Sequence, residues 1–290
     1  MTTVVHIDKN PDPFLARAGA LIKASPAEHN LILSMCQSAA GKIARGTPCG
    51  TLFMTVTADD GSVLQAAVMS PSRNLVLSQA FVAGDVAIPA LAEKLAAEKI
   101  SFPGIVGPSD VASAFAQGWS DATQQRFNEY MDQIIYSLRE VIEPRSTGGV
   151  VRPARDTEEE LIASWMKDFA RESLPKAEWM TDTESRTRAQ ERIGAGSVYV
   201  LDVAGKPVAQ AAIAGTTDVA RVSMVYTPEE SRGRGYASAI VARISQHALD
   251  EGCAMCCLYA DARNPVSNSI YRKIGYEFVG RSSLYVVEKL

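Results

Sequence analysis

No run of about eighteen apolar residues occurs anywhere in the 290-residue chain, so the sequence offers no membrane-spanning helix. Its first ten residues also lack the basic start and continuous apolar stretch of a secretory signal, and the expected location is the cytoplasm. Basic charge is in short supply: 29 Lys plus Arg stand against 33 Asp plus Glu, a net charge of −4. Such a balance provides no broad positive field for nucleic acid or an anionic membrane, so any phosphate site must be local. Five cysteines are too few, and odd in number, for a disulfide framework. Cys253, Cys256 and Cys257 have a CxxCC spacing, yet they fall in or beside an apolar run, 254–259, that reads as a buried strand. No second ligand pair follows, so no metal is expected. His6, His29 and His247 occur in no catalytic spacing.

What is present reads as a folded α/β protein. Hydrophobic residues at 47% and charged residues at 21% match ordinary globular composition, and the length favours two domains over one. Helix breakers concentrate at Pro144-Arg145-Ser146-Thr147-Gly148-Gly149, which places a linker between a domain of residues 1–145 and one of residues 150–290. Just before it, Phe127, Met131, Ile134, Ile135, Leu138 and Ile142 recur at helical spacing, and Gln124 to Ile142 reads as an amphipathic helix packed between the halves.

Beyond the linker the expected order is a strand at 150–153, helices at 157–172 and 183–193, and strands at 197–203, 208–214 and 219–226. A Gly-rich loop then leads into a helix with Ala237, Ile240, Val241, Ile244 and Ala248 on one face, closed by Gly252. A parallel strand at 254–259 follows. Asn264-Pro265 forms the N-cap and first residue of a helix ending near Gly275, and strands at 276–280 and 284–287 close a mixed sheet with helices on its faces.

The chain also echoes itself. Val63 to Val68 (VLQAAV) matches Val208 to Ile213 (VAQAAI) at an offset of 145 (208 − 63). Pro108 to Trp119 matches Pro265 to Tyr276 at an offset of 157 (265 − 108), which sets Ala114 against Tyr271. The first half is therefore 12 residues shorter between the matches (157 − 145), where the second half has its Gly-rich loop and following helix. It reads as a degenerate copy without the ligand loop or the tyrosine.

That loop, Arg232-Gly233-Arg234-Gly235-Tyr236-Ala237, lies between a strand and a helix. Its glycines leave backbone N–H groups uncovered, the helix dipole favours negative charge there, and two arginines add cationic donors, so the segment suits a diphosphate. Ser238 stands where a dinucleotide-binding fingerprint would need its third glycine, and no Lys-Ser/Thr pair marks a P-loop. Arg232, Gly235 and Ala237 match the Arg/Gln-x-x-Gly-x-Gly/Ala loop of the GCN5-related N-acetyltransferases. Asn264, Ser267, Ile270, Tyr271, Gly275 and Tyr276 fit that family's second signature, 39 residues on by the Arg232-to-Tyr271 spacing (271 − 232). Residues 150–290 thus resemble a GCN5-related N-acetyltransferase (GNAT) domain, and the whole chain a tandem of GNAT-like folds.

The resemblance implies an N-acetyltransferase that uses acetyl-CoA as co-substrate, without a metal, on a small-molecule or peptide amine. It places the coenzyme against Val225, Tyr226, Arg232, Gly233, Arg234, Gly235, Tyr236, Ala237, Asn264 and Ser267. A backbone amide near Val225 or Tyr226 would stabilise the tetrahedral oxyanion, and Tyr271 would protonate the leaving thiolate. Many family members carry a glutamate base on the strand before the loop; here that strand, Arg221 to Tyr226, has no carboxylate. A water relayed by Ser223, a carboxylate from Glu172, Glu178 or the first half, and spontaneous proton loss all remain open. So do two other functions, a non-catalytic acyl-CoA sensor and an interaction protein.

Overall fold

Turns and helix caps divide the chain into two runs with one element order: strand, two helices, three strands, helix, strand, helix, strand. A computed structural model describes residues 2–80, 84–215 and 218–288. The first run comprises β1 (Thr3–Asp8), α1 (Pro11–Ala24), α2 (Asn30–Ala44), β2 (Leu52–Ala58), β3 (Val63–Met69), β4 (Leu75–Leu77), α3 (Gly84–Ala97), β5 (Gly104–Pro108), α4 (Ser109–Thr123) and β6 (Phe127–Leu138). The second comprises β7 (Val150–Pro153), α5 (Glu159–Ser173), α6 (Asp182–Gly194), β8 (Val198–Val203), β9 (Lys206–Gly215), β10 (Val219–Tyr226), α7 (Tyr236–Asp250), β11 (Met255–Asp261), α8 (Pro265–Ile274) and β12 (Glu277–Val287).

Two compact units result, and they do not follow a single cut at residues 144–149. One holds Met1–Ile135, Asp261–Arg263 and Val279–Leu290; the other holds Tyr136–Ala260 and Asn264–Phe278. The first unit therefore takes its β5 neighbour from the far end of the chain, with β12 pairing antiparallel from Ser282↔Pro108 to Val286↔Gly104. Its strands alternate between two helical layers, as the pleat requires. Phe53 on β2 joins Phe14, Ile22 and Ile32 of α1 and α2, whereas Met54 and Val56 meet Leu91 of α3 and Phe115 and Trp119 of α4.

In the second unit the strands run in the order β11-β10-β9-β8-β7. Ile162, Trp165 and Met166 of α5 pack on Val198 and Val200 of β8, and α7 buries Ile240, Val241, Ile244 and Ala248 as its periodicity predicts. Cys256 and Cys257 are fully buried on β11, where burial pushes both thiols up to about 12 and keeps them protonated.

Three expectations need correction. Within residues 124–142, Phe127–Leu138 form strand β6, and no helix is present there. Gln124, in the left-handed conformation at φ 64°, closes α4, and the aromatic and β-branched residues beyond it suit a pleated surface. The apolar positions 127, 131 and 135 satisfy both a four-residue and a two-residue period, which made the segment ambiguous. Secondly, the two closing strands are one, β12.

Thirdly, the shortening of the first half does not remove a helix. α3 has 14 residues against 15 in α7, while β4 has three against eight in β10, so the loss falls on the strand and its loop. The matched helices also shift by one. Tyr271 and Phe115 stand equally far from their helix starts (271 − 265 = 115 − 109 = 6), and Phe115 is buried whereas Ala114 is exposed. The counterpart of Tyr271 is thus a buried phenylalanine, the same ring without its hydroxyl.

Candidate active site

The site begins with a fault in β10. Its pairing with β9 jumps from Ser223↔Ala212 to Tyr226↔Gln210, which leaves one extra residue on β10, and Met224 takes a left-handed φ of 52°. A bulge of this kind re-aims the strand and its backbone groups, and a non-glycine residue held there stores about 1–3 kcal/mol of strain. On its other side β10 pairs with β11 in parallel from Val219↔Met255 to Arg221↔Cys257. Among the described residues the ladder stops there, so the C-terminal parts of the two strands are not paired with each other.

Beyond β10 a single 3-10 turn, Glu229–Ser231, leads into the glycine loop. Gly233 and Gly235 adopt φ values of 77° and 79°, which a side chain would disfavour. Gly235 is also the N-cap of α7 and brings no side-chain cap. Its carbonyl accepts from the Ala239 N–H at 3.1 Å, so the preceding N–H groups of the first turn have no intrahelical acceptor. An uncapped helix start of this kind presents partial positive charge and free donors together.

These elements enclose a cleft of about 550 Å³. Val225, Tyr226, Arg232, Gly233, Gly235, Tyr236, Ala237, Asn264, Ser267 and Tyr271 all line it, so the structure brings together every expected site residue but one. The exception, Arg234, is exposed and stands outside the lining. The sequence reading missed Phe169 and Ser173 of α5, and it offered Glu172 only as one of several bases; all three form the facing wall.

Arg232 differs most from expectation. Its Nη2 donates to both Glu172 oxygens at 2.9 and 2.8 Å, and its Nε donates to the Thr227 carbonyl at 2.9 Å. The guanidinium lies 5.8 Å from the centre of the Tyr226 ring, and the Tyr226 hydroxyl donates to Glu172 Oε1 at 3.4 Å. Burial raises the Tyr226 pKa, and the negative charges of Glu172 and Asp168 raise it further.

On α8, the Asn264 side chain accepts from the Ser267 N–H at 3.1 Å and caps the helix. Asn264→Ala is expected to lower stability by about 1 kcal/mol, measurable as a shift in the denaturation midpoint. Tyr271, 8% exposed, sits near the Tyr136 and Tyr276 rings at 6.2 and 6.1 Å. Tyr136 is tied to Asn268 and Tyr276 to Ser245. Among the described residues the Tyr271 hydroxyl has no hydrogen-bond partner, and burial pushes its pKa up to about 12. It is therefore a proton donor with its proton uncommitted.

Comparison with known proteins agrees with this architecture. Residues 203–286 match the family model for FR47-like protein. The chain is similar to an X-ray structure of a Drosophila protein, at 11% identity and TM-score 0.68, covering 99% of each chain. It is also similar to a GCN5-related N-acetyltransferase from Sphaerobacter thermophilus, at 16% identity and TM-score 0.58, covering 98% of this chain and 94% of that one. A tandem GNAT protein from the clavulanic acid biosynthesis pathway matches at 12% identity and TM-score 0.52, over 98% of both chains. No curated protein matches the sequence. The chain thus has the GNAT fold, a mixed α/β sheet with helices on its faces, in a tandem arrangement.

Proposed function

We propose that the second half is an N-acetyltransferase that takes acetyl-CoA as co-substrate and acts on a primary amine of a small molecule or peptide. The observation that carries this is the uncapped start of α7 opening, through two left-handed glycines, onto the cleft that also holds Tyr271. The end of the β10–β11 ladder at Arg221↔Cys257 suits an extended, amide-bearing arm, because unpaired strand edges accept such chains by backbone hydrogen bonds. Bound there, an acetyl thioester supplies the acyl group that an amine takes by direct attack. The chain holds both reactants in one cleft, aims the backbone amides near Val225 and Tyr226 at developing negative charge, and donates a proton from Tyr271 to the departing sulfur. Five free thiols suit a reducing compartment, the cytoplasm. Among the described residues no helix is long and apolar enough to cross a membrane.

Release of free thiol from acetyl-CoA, followed across a library of amines, tests the reading. Amine-dependent release is expected; CoA binding without release for any amine would turn the protein into a sensor. The first half is proposed to bind no coenzyme. Its corresponding hollow, about 540 Å³, is lined by Glu28, Gln79, Ser109, Asp110 and Arg281, whose guanidinium is already paired with Asp132, and Glu28 has its pKa raised by burial and, more weakly, by Asp110. Two carboxylates oppose a diphosphate. The segment 81–86, where a second coenzyme would be sought, begins with residues 81–83, outside the described residues. Calorimetric titration is expected to give one CoA per chain, and two would refute the assignment.

A further inference from the structure

The ion pair between Arg232 and Glu172 joins the loop expected to meet the coenzyme to the wall expected to meet the amine. Both side chains are about half exposed, 46% and 49%, so water screens the pair and it contributes little to stability. A diphosphate beside the start of α7 would offer the same guanidinium several anionic oxygens in a favourable field. Arg232 can therefore change partners at small cost. Glu172 would not be left without contacts, because the Tyr226 hydroxyl still reaches its Oε1.

We propose that CoA and Glu172 compete for Arg232, so that coenzyme binding releases the Glu172 carboxylate to hold the acceptor as an alkylammonium ion. The released carboxylate then removes one N–H proton: carboxylate plus R-NH3+ gives carboxylic acid plus R-NH2, with the lone pair left on nitrogen for attack. This assignment rests on the reading of the cleft as a CoA site and supplies what the strand 221–226 lacks. It also names the acceptor class, a primary amine that is cationic in neutral solution. The surroundings favour a cation: Asp168, Glu229 and Glu230 line the hollow that adjoins the cleft and shares Glu172 and Tyr226 with it, against one cationic side chain there, Arg171, which lies 3.8 Å from Asp168. The pair also makes the two ligands bind synergistically, since before CoA arrives the carboxylate is neutralised by Arg232.

Titrating n-butylammonium chloride into the full chain, with and without saturating CoA, tests the coupling. CoA is expected to strengthen n-butylammonium binding about fivefold or more, and n-butylammonium to strengthen CoA binding by the same factor. Glu172→Gln should abolish both enhancements while binding CoA about two- to fivefold more tightly, because Arg232 is no longer held. In an Arg232→Gln background, adding Glu172→Gln should leave CoA affinity unchanged. Equal n-butylammonium affinity with and without CoA, or unchanged or weaker CoA binding by Glu172→Gln, would overturn the coupling and leave the CoA site standing. No CoA binding by the wild type would remove the underlying reading together with it.

Discussion

Gly235→Trp is expected to weaken CoA binding by about a hundredfold or more, equivalent to about 2.7 kcal/mol or more. Two effects combine. The residue sits at φ 79°, where an L side chain is strained by about 1–3 kcal/mol, and the indole would stand over the first N–H groups of α7. A Cβ at this position meets only Thr147 Cγ2, at an ordinary 3.7 Å, so the first side-chain atom meets no clash. Gly233→Ala separates the two effects. It has a similar φ of 77° and nothing within 4 Å of the added atom, so it imposes strain without obstruction and should cost far less affinity. Calorimetry decides between them, with thermal unfolding as a check on folding. An unchanged CoA affinity in Gly235→Trp would remove the loop from the site.

The loop was legible because its demands on the backbone leave marks in the sequence. Positions needing positive φ carry glycine at 233, 235 and 275, and the start of α8 carries Asn264 and Pro265, a capping side chain followed by a residue without an N–H. Each mark is local, so a short stretch of residues suffices to read it. The contact between Arg232 and Glu172 spans 60 residues and has no such mark. Its partners are brought together by the packing of α5 beside β10, and either residue alone reads as a solvated charge. The pairing of β12 with β5 is illegible for the same reason: an antiparallel register between residues 282 and 108 is set by tertiary structure. In β6 the failure was of another kind, because its spacing fits two periods and only the left-handed Gln124 marks where the helix stops.

The internal repeat bears on the role proposed for Tyr271. Both halves place an aromatic ring at the seventh position of the corresponding helix, Phe115 in α4 and Tyr271 in α8. Phe115 is wholly buried in the first unit's core, whereas Tyr271 lines the cleft. The ring serves packing in both; the hydroxyl is confined to the half with the glycine loop. A structural hydroxyl at such depth would be expected to have a polar partner, as those of Tyr136 and Tyr276 do. The uncommitted Tyr271 hydroxyl fits donation to something bound in the cleft.

Tyr271→Phe should therefore lower kcat by about a hundred- to a thousandfold while leaving CoA affinity within about twofold of wild type. Removing the hydroxyl breaks no hydrogen bond among the described residues, and the ring keeps its place against Tyr136 and Tyr276, so loss of turnover could not be ascribed to loss of fold. The pH dependence gives an independent readout. Burial lifts the Tyr271 pKa from 10 to about 12, so the folded state holds this proton more tightly than the unfolded chain. Its contribution to stability is complete below pH 10 and is lost as pH rises from 10 toward 12. The same shift keeps the donor protonated throughout the neutral range, so no fall in kcat between pH 7 and 9 should trace to Tyr271. The phenylalanine variant should show the same profile at a uniformly lower rate there, and its stability should decline less above pH 10. Wild-type kcat in this variant, with the chemical step shown to be rate-limiting, would return Tyr271 to the packing role that Phe115 has in the first half.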